Sequence, residues 1–593
     1  MCGLCGELRL DGHSADMAAI QAMTKKLEPR GPDHEGLFSD GALGFGHRRL
    51  SVIDLSEHAN QPMVDQELRL VLVFNGAIYN YKELRSELQG LGYHFFSHGD
   101  SEVILKAWHA WGEKCVERLH GMFAFAIWDE RKKSLFLARD RLGIKPLYYS
   151  LDDQRIRFAS NMQALLAGGG IDKSIDPIAL HHQFTLHAVI PAPRTILQGI
   201  RKLSPGHTMT IDQQRVGEQK RYWSFPATRF DDPLSDREWI DAVHESLRKA
   251  VAKRNDVADV PVGVLLSGGL DSSLLVALLA EAGLSDLRTF SVGFEDAQEE
   301  CGNEFEFSDQ VAKRYNTRHH KFLVPNSEVL KRLPEAVDAM AEPMFGQDAV
   351  AFYLLSEQVS KEVKVVQSGQ GADEVFGGYF WYSRMMADNK GTPTERFARH
   401  YFDRDHSEFQ RMIQPAFTSG DHTSKLIGQL LSEPYADTFL DAVLRMDVTT
   451  LITDDPVKRV DNMTMAWGLE ARVPFLDHEL VELAARCPPE IKLKGDGKYL
   501  LKEISRGIVP DSVIDRPKAY FPMPALKYVR GDFLAFMRDI VTSDACRQRG
   551  IYQPAYIDML LSAPEMHHTR LKGSKLWHLA LLEFWLQRQV DAV

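Results

Sequence analysis

The chain changes its hydrophobic pattern partway along, and this change constrains the fold more than any other feature. In the first ~200 residues, short apolar, β-prone segments such as 68–74 and 135–138 lie between Gly and Pro turns. Later, apolar runs of strand length at 260–266, 288–294 and 363–367 alternate with helical patterns. The first pattern predicts a strand-rich fold, and the second predicts a parallel sheet covered by helices on both faces.

A length of 593 residues exceeds what one hydrophobic core supports, so at least two domains are expected. We place the first domain at residues 2–210 and the second at 236–593, joined by a polar, irregular linker at 211–235. From about Asp441 the second domain is predicted to be mainly helical. Helices are predicted at 239–254, 272–282 and 571–586.

Composition narrows the class of protein. The formal net charge of −12 argues against a general nucleic-acid-binding protein, although it allows a small anionic substrate. Six cysteines in a chain of this length give no disulfide framework. The sequence shows no secretory leader and no run of about 18 apolar residues, so we expect a cytoplasmic enzyme without a membrane or nucleic-acid partner.

Cys2 is a candidate nucleophile because of its position. If Met1 is removed, the thiol and a free α-amino group lie on the same residue. An α-amino group has a pKa of about 7.7–8.0 and can act as the local base. The alternative is a CxxC redox or metal pair formed by Cys2 and Cys5, and a single pair with few histidines nearby gives little support to a zinc site.

A series of short motifs follows Cys2 in a fixed order. They are MCGLCG at 1–6, RGPD at 30–33, HRRLS at 47–51, NGAIYN at 75–80, GDSE at 99–102, GMFAFA at 121–126 and RDRLGIKPLY at 139–148. The series resembles the class II glutamine amidotransferase domain, an N-terminal-nucleophile fold. That resemblance implies an α+β sandwich of stacked antiparallel sheets between helices (αββα).

The resemblance also implies roles for individual residues. Asn75 and Gly76 would form the oxyanion hole that thiolate attack on an amide needs, although an Asn-Gly pair alone is more often a hairpin turn. Arg49 would bind the glutamine carboxylate in a bidentate pair, and Asp100 its ammonium group. The implied glutamine-binding set is Arg49, Leu50, Ser51, Val52, Ile53, Asn75, Gly76, Ala77 and Asp100. Ala77 departs from the family, which usually has Glu there, and this puts glutamine affinity in doubt.

The second half contains a glycine-rich loop, SGGLDS at 267–272, between a predicted strand and a predicted helix. Glycines let the backbone approach a phosphate, and a helix N-terminus attracts one. The loop lacks the Gly-Lys-Ser/Thr ending of a Walker A motif. It resembles the pyrophosphate loop of PP-loop ATP pyrophosphatases, which split ATP between its α- and β-phosphates. The alternative is a strand-to-helix turn without chemical meaning.

Two further blocks, SGQGADEVFGGY at 368–379 and EARVPFLD at 470–477, resemble the asparagine synthetase family, and the resemblance extends from Cys2 to Gln587. It implies a PP-loop α/β domain with a helical C-terminal part, use of ATP and Mg²⁺, an internal ammonia tunnel and a homodimer. The implied metal ligands are Asp271 and Asp373, with Lys498 as a catalytic cation. The implied ATP-binding residues are Leu265, Ser267, Gly268, Gly269, Asp271, Ser272, Val292, Ser368 and Gly369.

The resemblance implies that a carboxylate is activated as an acyl-AMP and then amidated by ammonia from glutamine. The acceptor region would contain Gln370, Asp373 and Tyr379. Gln370 replaces an acidic residue of asparagine synthetases and cannot act as a general base. The stretch 516–528, with Tyr520 in place of Gly, and the opening MCGLCGE at 1–7 look more like the bacterial branch that amidates N-acetylglutaminylglutamine. We favour this dipeptide as acceptor over aspartate. A glutaminase with an inactive second domain and a non-catalytic relative are the alternatives from other classes.

Overall fold

The N-terminal part of the chain forms two six-stranded antiparallel sheets. The computed structural model describes residues 2–212, 216–296, 302–516 and 529–592. The first sheet has the order β10-β8-β9-β1-β3-β2, and the second has the order β12-β11-β7-β6-β5-β4. Their strands are β1 (Gly3–Arg9), β2 (His34–Asp40), β3 (Leu43–Arg49), β4 (Met63–Asp65), β5 (Leu70–Ile78), β6 (Gly121–Asp129), β7 (Ser134–Arg139), β8 (Tyr148–Leu151), β9 (Arg155–Ala159), β10 (Arg201–Lys202), β11 (His207–Asp212) and β12 (Lys220–Arg221).

The two sheets pack face to face through alternate side chains of their strands. Leu4 and Phe45 of the first sheet belong to one buried cluster with Val71 and Trp128 of the second. Helices α1 (Met17–Lys26) and α5 (Met162–Ala167) contact the outer side of the first sheet. Helices α2 (Tyr81–Gly90) and α3 (Asp100–Trp111) pack on the outer side of the second. The layer order αββα confirms the predicted N-terminal-nucleophile sandwich.

The later part of the chain contains a five-stranded parallel sheet with the order β15-β14-β13-β16-β17. Its strands are β13 (Val262–Leu265), β14 (Arg288–Phe294), β15 (Arg318–Val324), β16 (Val365–Gln367) and β17 (Glu470–Arg472). Val264 and Leu266 pack on one face with helices α7 (Asp236–Asp256) and α8 (Leu270–Glu281). Leu265 packs on the opposite face, with α10 (Asn326–Ala339) and α11 (Asp348–Val359). Burial on both faces confirms the predicted doubly covered α/β domain.

The remaining described helices lie between these strands and in the C-terminal part, which is mainly helical as predicted. Between the strands they are α4 (Cys115–Arg118), α6 (Pro177–Thr185), α9 (Phe305–Arg314), α12 (Ala372–Phe376), α13 (Phe380–Ala387), α14 (Pro393–Tyr401), α15 (His406–Met412), α16 (His422–Leu431), α17 (Phe439–Met446) and α18 (Lys458–Met465). After β17 they are α19 (His478–Ala485), α20 (Pro489–Lys492), α21 (Tyr499–Ser505) and α22 (Asp511–Ile514), followed by Gly531–Val541, Asp544–Arg549, Pro554–Ser562 and Lys575–Leu586.

One alternative reading of the sequence and one local expectation differ from the structure. Asn75 and Gly76 do not form a hairpin turn, because β5 continues through them and pairs with β6, with Asn75 opposite Ala124 and Gly76 opposite Phe123. The segment 211–235 is not irregular throughout, because it contains the end of β11 and all of β12, both in the second sheet.

The described cysteines are all free thiols, in agreement with the absence of a disulfide framework. Within the described residues, we find no helix with the length and apolar character that crossing a bilayer requires.

Candidate functional site

Cys2 directly precedes β1 and is buried against the second sheet. Its main-chain N–H donates a hydrogen bond to Oδ1 of Asn75, at 3.0 Å. Asn75 is fully buried in β5, and among the described residues its Nδ2 has no hydrogen-bond partner. A buried amide rarely leaves its donors unused. The unpaired Nδ2 beside Cys2 is therefore available to donate to the oxyanion that forms when a thiol attacks a carbonyl carbon.

Gly76 follows Asn75 where β5 and β6 approach each other closely. A Cβ at this position would lie 2.1 Å from the carbonyl oxygen of Met122, so no other residue fits without displacing β6. Asn75 and Gly76 therefore lie in β5 next to Cys2.

We expect Asn75→Ala to lower kcat for glutamine hydrolysis by about 10²–10³-fold, the usual effect of removing one oxyanion donor. Asn75→Asp is the sharper variant, because its carboxylate can still accept from the Cys2 N–H but cannot donate from the Nδ2 position. Glutamate release by both variants checks this, with thermal unfolding as the control for folding. Near-normal turnover by Asn75→Asp would exclude the amide as the donor.

Arg49 ends β3 with its guanidinium buried and fixed by the following loop. Its Nη1 donates to the carbonyl of Ser56 at 2.8 Å and to Oδ1 of Asn60 at 2.7 Å, and its Nη2 donates to the carbonyl of Asp54. These bonds hold the guanidinium in one orientation, as a carboxylate clamp requires.

The predicted glutamine-binding residues after Arg49 extend towards the parallel sheet. Leu50 and Val52 are buried against Val365 of β16, with Ile53 packed beside them. The Ser51 N–H donates to Asp33 Oδ2 at 2.7 Å. The loop after Arg49 therefore contains predicted glutamine-binding residues and also packs against the second half of the chain.

Asp100 is buried at the start of α3, where its Oδ2 accepts a hydrogen bond from the N–H of Ile78, at 2.9 Å. Burial raises the pKa of Asp100 to about 6. Ala77 is fully buried in the apolar cluster between β5 and the helices outside it. Ala77 has no carboxylate. Asp100, at the start of α3, therefore supplies the carboxylate next to the end of β5.

We expect kcat/KM for glutamine to fall as the pH drops below about 6, because Asp100 is ionised above its raised pKa and neutral below it. Only the carboxylate attracts an ammonium group. Asp100→Asn should lower kcat/KM at neutral pH and remove this limb of the profile. Glutaminase assays between about pH 5 and 8 check the prediction, and an unchanged limb in the variant would contradict it.

A buried ion cluster, which sequence analysis did not single out, joins the two halves of the chain behind Cys2. Arg30 donates to the Cys2 carbonyl at 3.3 Å and to both carboxylate oxygens of Asp461, at 2.9 and 3.2 Å. Lys145 donates to the same carboxylate at 3.0 Å. Although burial alone would raise it, these two cations lower the pKa of Asp461 to about 2. The backbone of the candidate nucleophile is thus tied to α18 by charged hydrogen bonds.

The second site is a cavity of about 520 Å³ at the carboxyl ends of β13, β14 and β16, the usual ligand position in a parallel sheet. The glycine-rich loop connects β13 to α8, and Gly268 has a φ of +80° that favours glycine. Of the predicted ATP-binding residues, all but Gly268 line the cavity. The predicted residues Gln370, Asp373, Tyr379 and Lys498 line it too.

Lys498 joins the two predicted metal ligands. Its Nζ lies 2.6 Å from Asp271 Oδ2 and 2.8 Å from Asp373 Oδ1. Although burial opposes it, these carboxylates raise the pKa of Lys498 above its ordinary value. Gly378 is required here, since a Cβ would lie 2.1 Å from Asp373 Oδ1 and 2.3 Å from Lys498 Cε. Two carboxylates facing one point at a glycine-rich loop fit Mg²⁺ bound to phosphate oxygens.

The cavity also contains a charged group without a motif. Asp348, at the start of α11, pairs with Arg459 of α18 at 3.1 Å, and Arg459 pairs with Asp455 at 2.6 Å. Both Asp348 and Arg459 line the cavity. In the sequence these two residues stand out only by their charge, because neither belongs to a recognised motif. The stretch 517–528, including Tyr520, and Cys301 lie outside the described residues.

Comparisons with known proteins identify the family of each half of the chain. The asparagine synthase family model matches residues 242–587, and a glutamine amidotransferase domain model matches residues 1–223. Asparagine synthetase (glutamine-hydrolyzing) 1 of Bacillus subtilis is 31% identical, over 99% of this chain and 96% of its own length.

Two further relatives cover most of the chain. Asparagine synthetase (glutamine-hydrolyzing) 3 of the same organism is 30% identical, over 88% of this chain and 87% of its own length. Amidase chry2 of Gibberella zeae is 26% identical, over 91% and 92% respectively. The predicted family is thereby confirmed, and the chain, with a glutamine amidotransferase domain ahead of its synthase region, belongs to the asparagine synthase family.

Proposed function

We propose that this chain is an ATP-dependent amidotransferase that hydrolyses glutamine and uses the ammonia to convert a carboxylate into an amide. The observation that carries the proposal is that one chain contains two sites, one suited to amide hydrolysis and one suited to ATP. One joins a buried cysteine to an unpaired buried amide. The other joins a glycine-rich loop to two carboxylates and a lysine.

In the proposed glutaminase step, the Cys2 thiol attacks the amide carbon of glutamine. Burial raises the pKa of the Cys2 thiol, so a base is needed at neutral pH. After removal of Met1 that base would be the α-amino group of Cys2, which titrates at about 7.7–8.0. Asn75 would stabilise the oxyanion, while Arg49 and Asp100 hold the two ends of glutamine. Ammonia leaves, and water hydrolyses the thioester to glutamate.

In the proposed synthetase step, a carboxylate oxygen of the acceptor attacks the α-phosphorus of ATP and pyrophosphate leaves. Ammonia then attacks the acyl-AMP and releases AMP with the amide. Asp271 and Asp373 would hold Mg²⁺, which supplies positive charge to the phosphates when bound. Lys498 would stay between them and the leaving pyrophosphate. Leu265, Val292, Ser368 and Gly369 would contact the nucleoside.

The favoured acceptor is N-acetylglutaminylglutamine, because the sequence at 516–528 and at the opening MCGLCGE resembles the branch that amidates this dipeptide. Gln370 lines the cavity and cannot act as the general base for ammonia. L-Aspartate is the second candidate, and one observation favours it. Asp348 places a carboxylate in the wall of the cavity, beside Arg459. Such a surface attracts the ammonium group that aspartate has and the acetylated dipeptide lacks.

A panel of acceptors tests the proposal. With ATP, Mg²⁺ and glutamine, we expect pyrophosphate release and a new amide, identified by mass spectrometry, with N-acetylglutaminylglutamine and much less with L-aspartate. Release that responds to aspartate and ignores the dipeptide would reverse the order of acceptors. If no acceptor gives pyrophosphate even with ammonium chloride, the chain is a glutaminase only. The homodimer and the ammonia tunnel stay predictions.

A further inference from the structure

A cluster of imidazole groups lies where α6 meets α15 and α16, and none of its residues lines the ATP-site cavity. Nε2 of His181 lies 3.0 Å from Nδ1 of His406. One ligand atom from each of His181, His406 and Asp421 lies within 4.8 Å of the others. We propose that these three side chains bind a divalent transition-metal ion, with zinc as the best fit.

One of the two arrangements open to the hydrogen bonds behind His181 leaves its Nε2 for a metal. Oγ1 of Thr423 lies 2.6 Å from Nδ1 of His181 and 2.9 Å from Nδ1 of His182. A hydroxyl has one proton, so it accepts from one ring and donates to the other. When the Nδ1–H of His181 donates to Thr423, Nε2 keeps its lone pair at the site. Metal-bound histidines are commonly oriented by such a bond.

The donor set suits zinc. Two imidazole nitrogens and a carboxylate oxygen are ligands that zinc commonly takes in proteins. Zn–N bonds of about 2.0–2.1 Å place the nitrogens of a tetrahedral site about 3.3 Å apart, close to the 3.0 Å seen here.

Asp421 supplies the carboxylate. Its Oδ1 accepts from the N–H of Ser424 at 2.9 Å, which orients the group at the start of α16. Among the described side chains, no Lys or Arg forms an ion pair with it. His422, whose ring centre lies 6.3 Å from that of His181, or water completes the fourth position.

A second histidine cluster in the chain shows the contrasting case. Nδ1 of His187 lies 2.9 Å from Asp403, which, against the effect of burial, raises the pKa of His187 to about 9. Arg404 lies 3.3 Å from Nδ1 of His578. The protonated His187 already neutralises Asp403, and Arg404 places a further cation against His578, so this cluster should not bind metal.

The consequence is a cross-link between distant parts of the chain. His181 belongs to α6, before the linker, whereas His406 and Asp421 belong to the helical region after the parallel sheet, 225 residues from His181 in the case of His406. Because the unfolded chain does not hold these groups together, metal binding stabilises the folded arrangement.

The test uses the full chain, purified with a tag that contains no histidine, stripped with chelator and titrated with Zn²⁺. We expect one zinc ion per chain by elemental mass spectrometry, tetrahedral d–d absorption with Co²⁺, and a zinc-dependent rise in the thermal midpoint. His406→Gln and Asp421→Asn change a half-buried and an exposed side chain and should abolish all three. Thr423→Val should weaken zinc binding by about 10–100-fold.

His13→Gln is the matched control, since its side chain is 78% exposed and far from the cluster in sequence. It should bind zinc like the parent chain. A parent chain that retains no zinc, or folded His406→Gln and Asp421→Asn variants that retain it with parental affinity, would overturn the proposal. Glutaminase activity is unaffected in either case, so this result is independent of the proposed enzymatic function.

Discussion

Cys2→Ala should reduce glutamine-dependent amidation by more than about 10³-fold while leaving ammonia-dependent amidation within about twofold of the parent enzyme. The first effect follows because no other nucleophile replaces the thiol beside Asn75. The second follows because the ATP-site cavity lies in the other half of the chain and needs only ammonia. Pyrophosphate release with glutamine or with ammonium chloride measures both.

Cys5→Ala separates this prediction from the CxxC alternative. The Cys5 side chain is fully buried, its Sγ lies 3.3 Å from Oγ1 of Thr24, and burial raises the pKa of its thiol to about 12. A thiol held in this form is unreactive, so Cys5→Ala should keep glutaminase activity. If Cys5→Ala lost activity as fully as Cys2→Ala while remaining folded, a paired role for the two cysteines would replace the single nucleophile.

Retention of Met1 gives a second check on the same chemistry. Mass spectrometry of active protein should find Cys2 at the N-terminus, since the α-amino group is the proposed base. A fraction that keeps Met1 should be inactive with glutamine and active with ammonium chloride. Full glutamine-dependent activity in that fraction would require another base.

Much of the fold was predictable because local patterns and tertiary structure agree. The alternation of strands and helices after residue 235 is read directly from apolar runs, and β14 occupies the predicted residues 288–294. Asn75 and Gly76 show the limit of local reasoning. Their turn propensity is overridden by pairing between β5 and β6, which depends on residues about 50 positions away.

The contacts between the two halves could not be read from the sequence. Arg30 and Asp461 are separated by 431 residues, and Lys145 and Asp461 by 316. Arg30 and Lys145 lie in recognisable motifs but Asp461 does not, and no periodicity tells which cation contacts which carboxylate. The same holds for Asp348 and Arg459, which only the folding of α11 against α18 brings into the ATP-site cavity. Ordered motifs gave the predicted residues of each site. The packing of helices and strands determines which of these residues contact each other.

Lys498→Gln should lower acceptor-dependent pyrophosphate release by about 10²–10³-fold with either nitrogen source, the size of effect expected for a preorganised charge next to a leaving phosphate. In the structure its ammonium pairs with both Asp271 and Asp373. Removing it leaves two facing carboxylates, which would still offer oxygen ligands to Mg²⁺, and removes the cation proposed to lie beside the pyrophosphate. The loss should therefore appear mainly in kcat.

Glutaminase activity of Lys498→Gln should stay within about twofold of the parent, because the substitution touches no group near Cys2. Lys494→Gln is the matched control, four residues earlier, with a half-exposed side chain paired to Asp236 on the surface. It should leave both activities intact. Equal losses in the two lysine variants would point to disruption of the segment before α21, whereas a loss confined to Lys498→Gln with normal glutamine hydrolysis assigns the charge to the adenylating step.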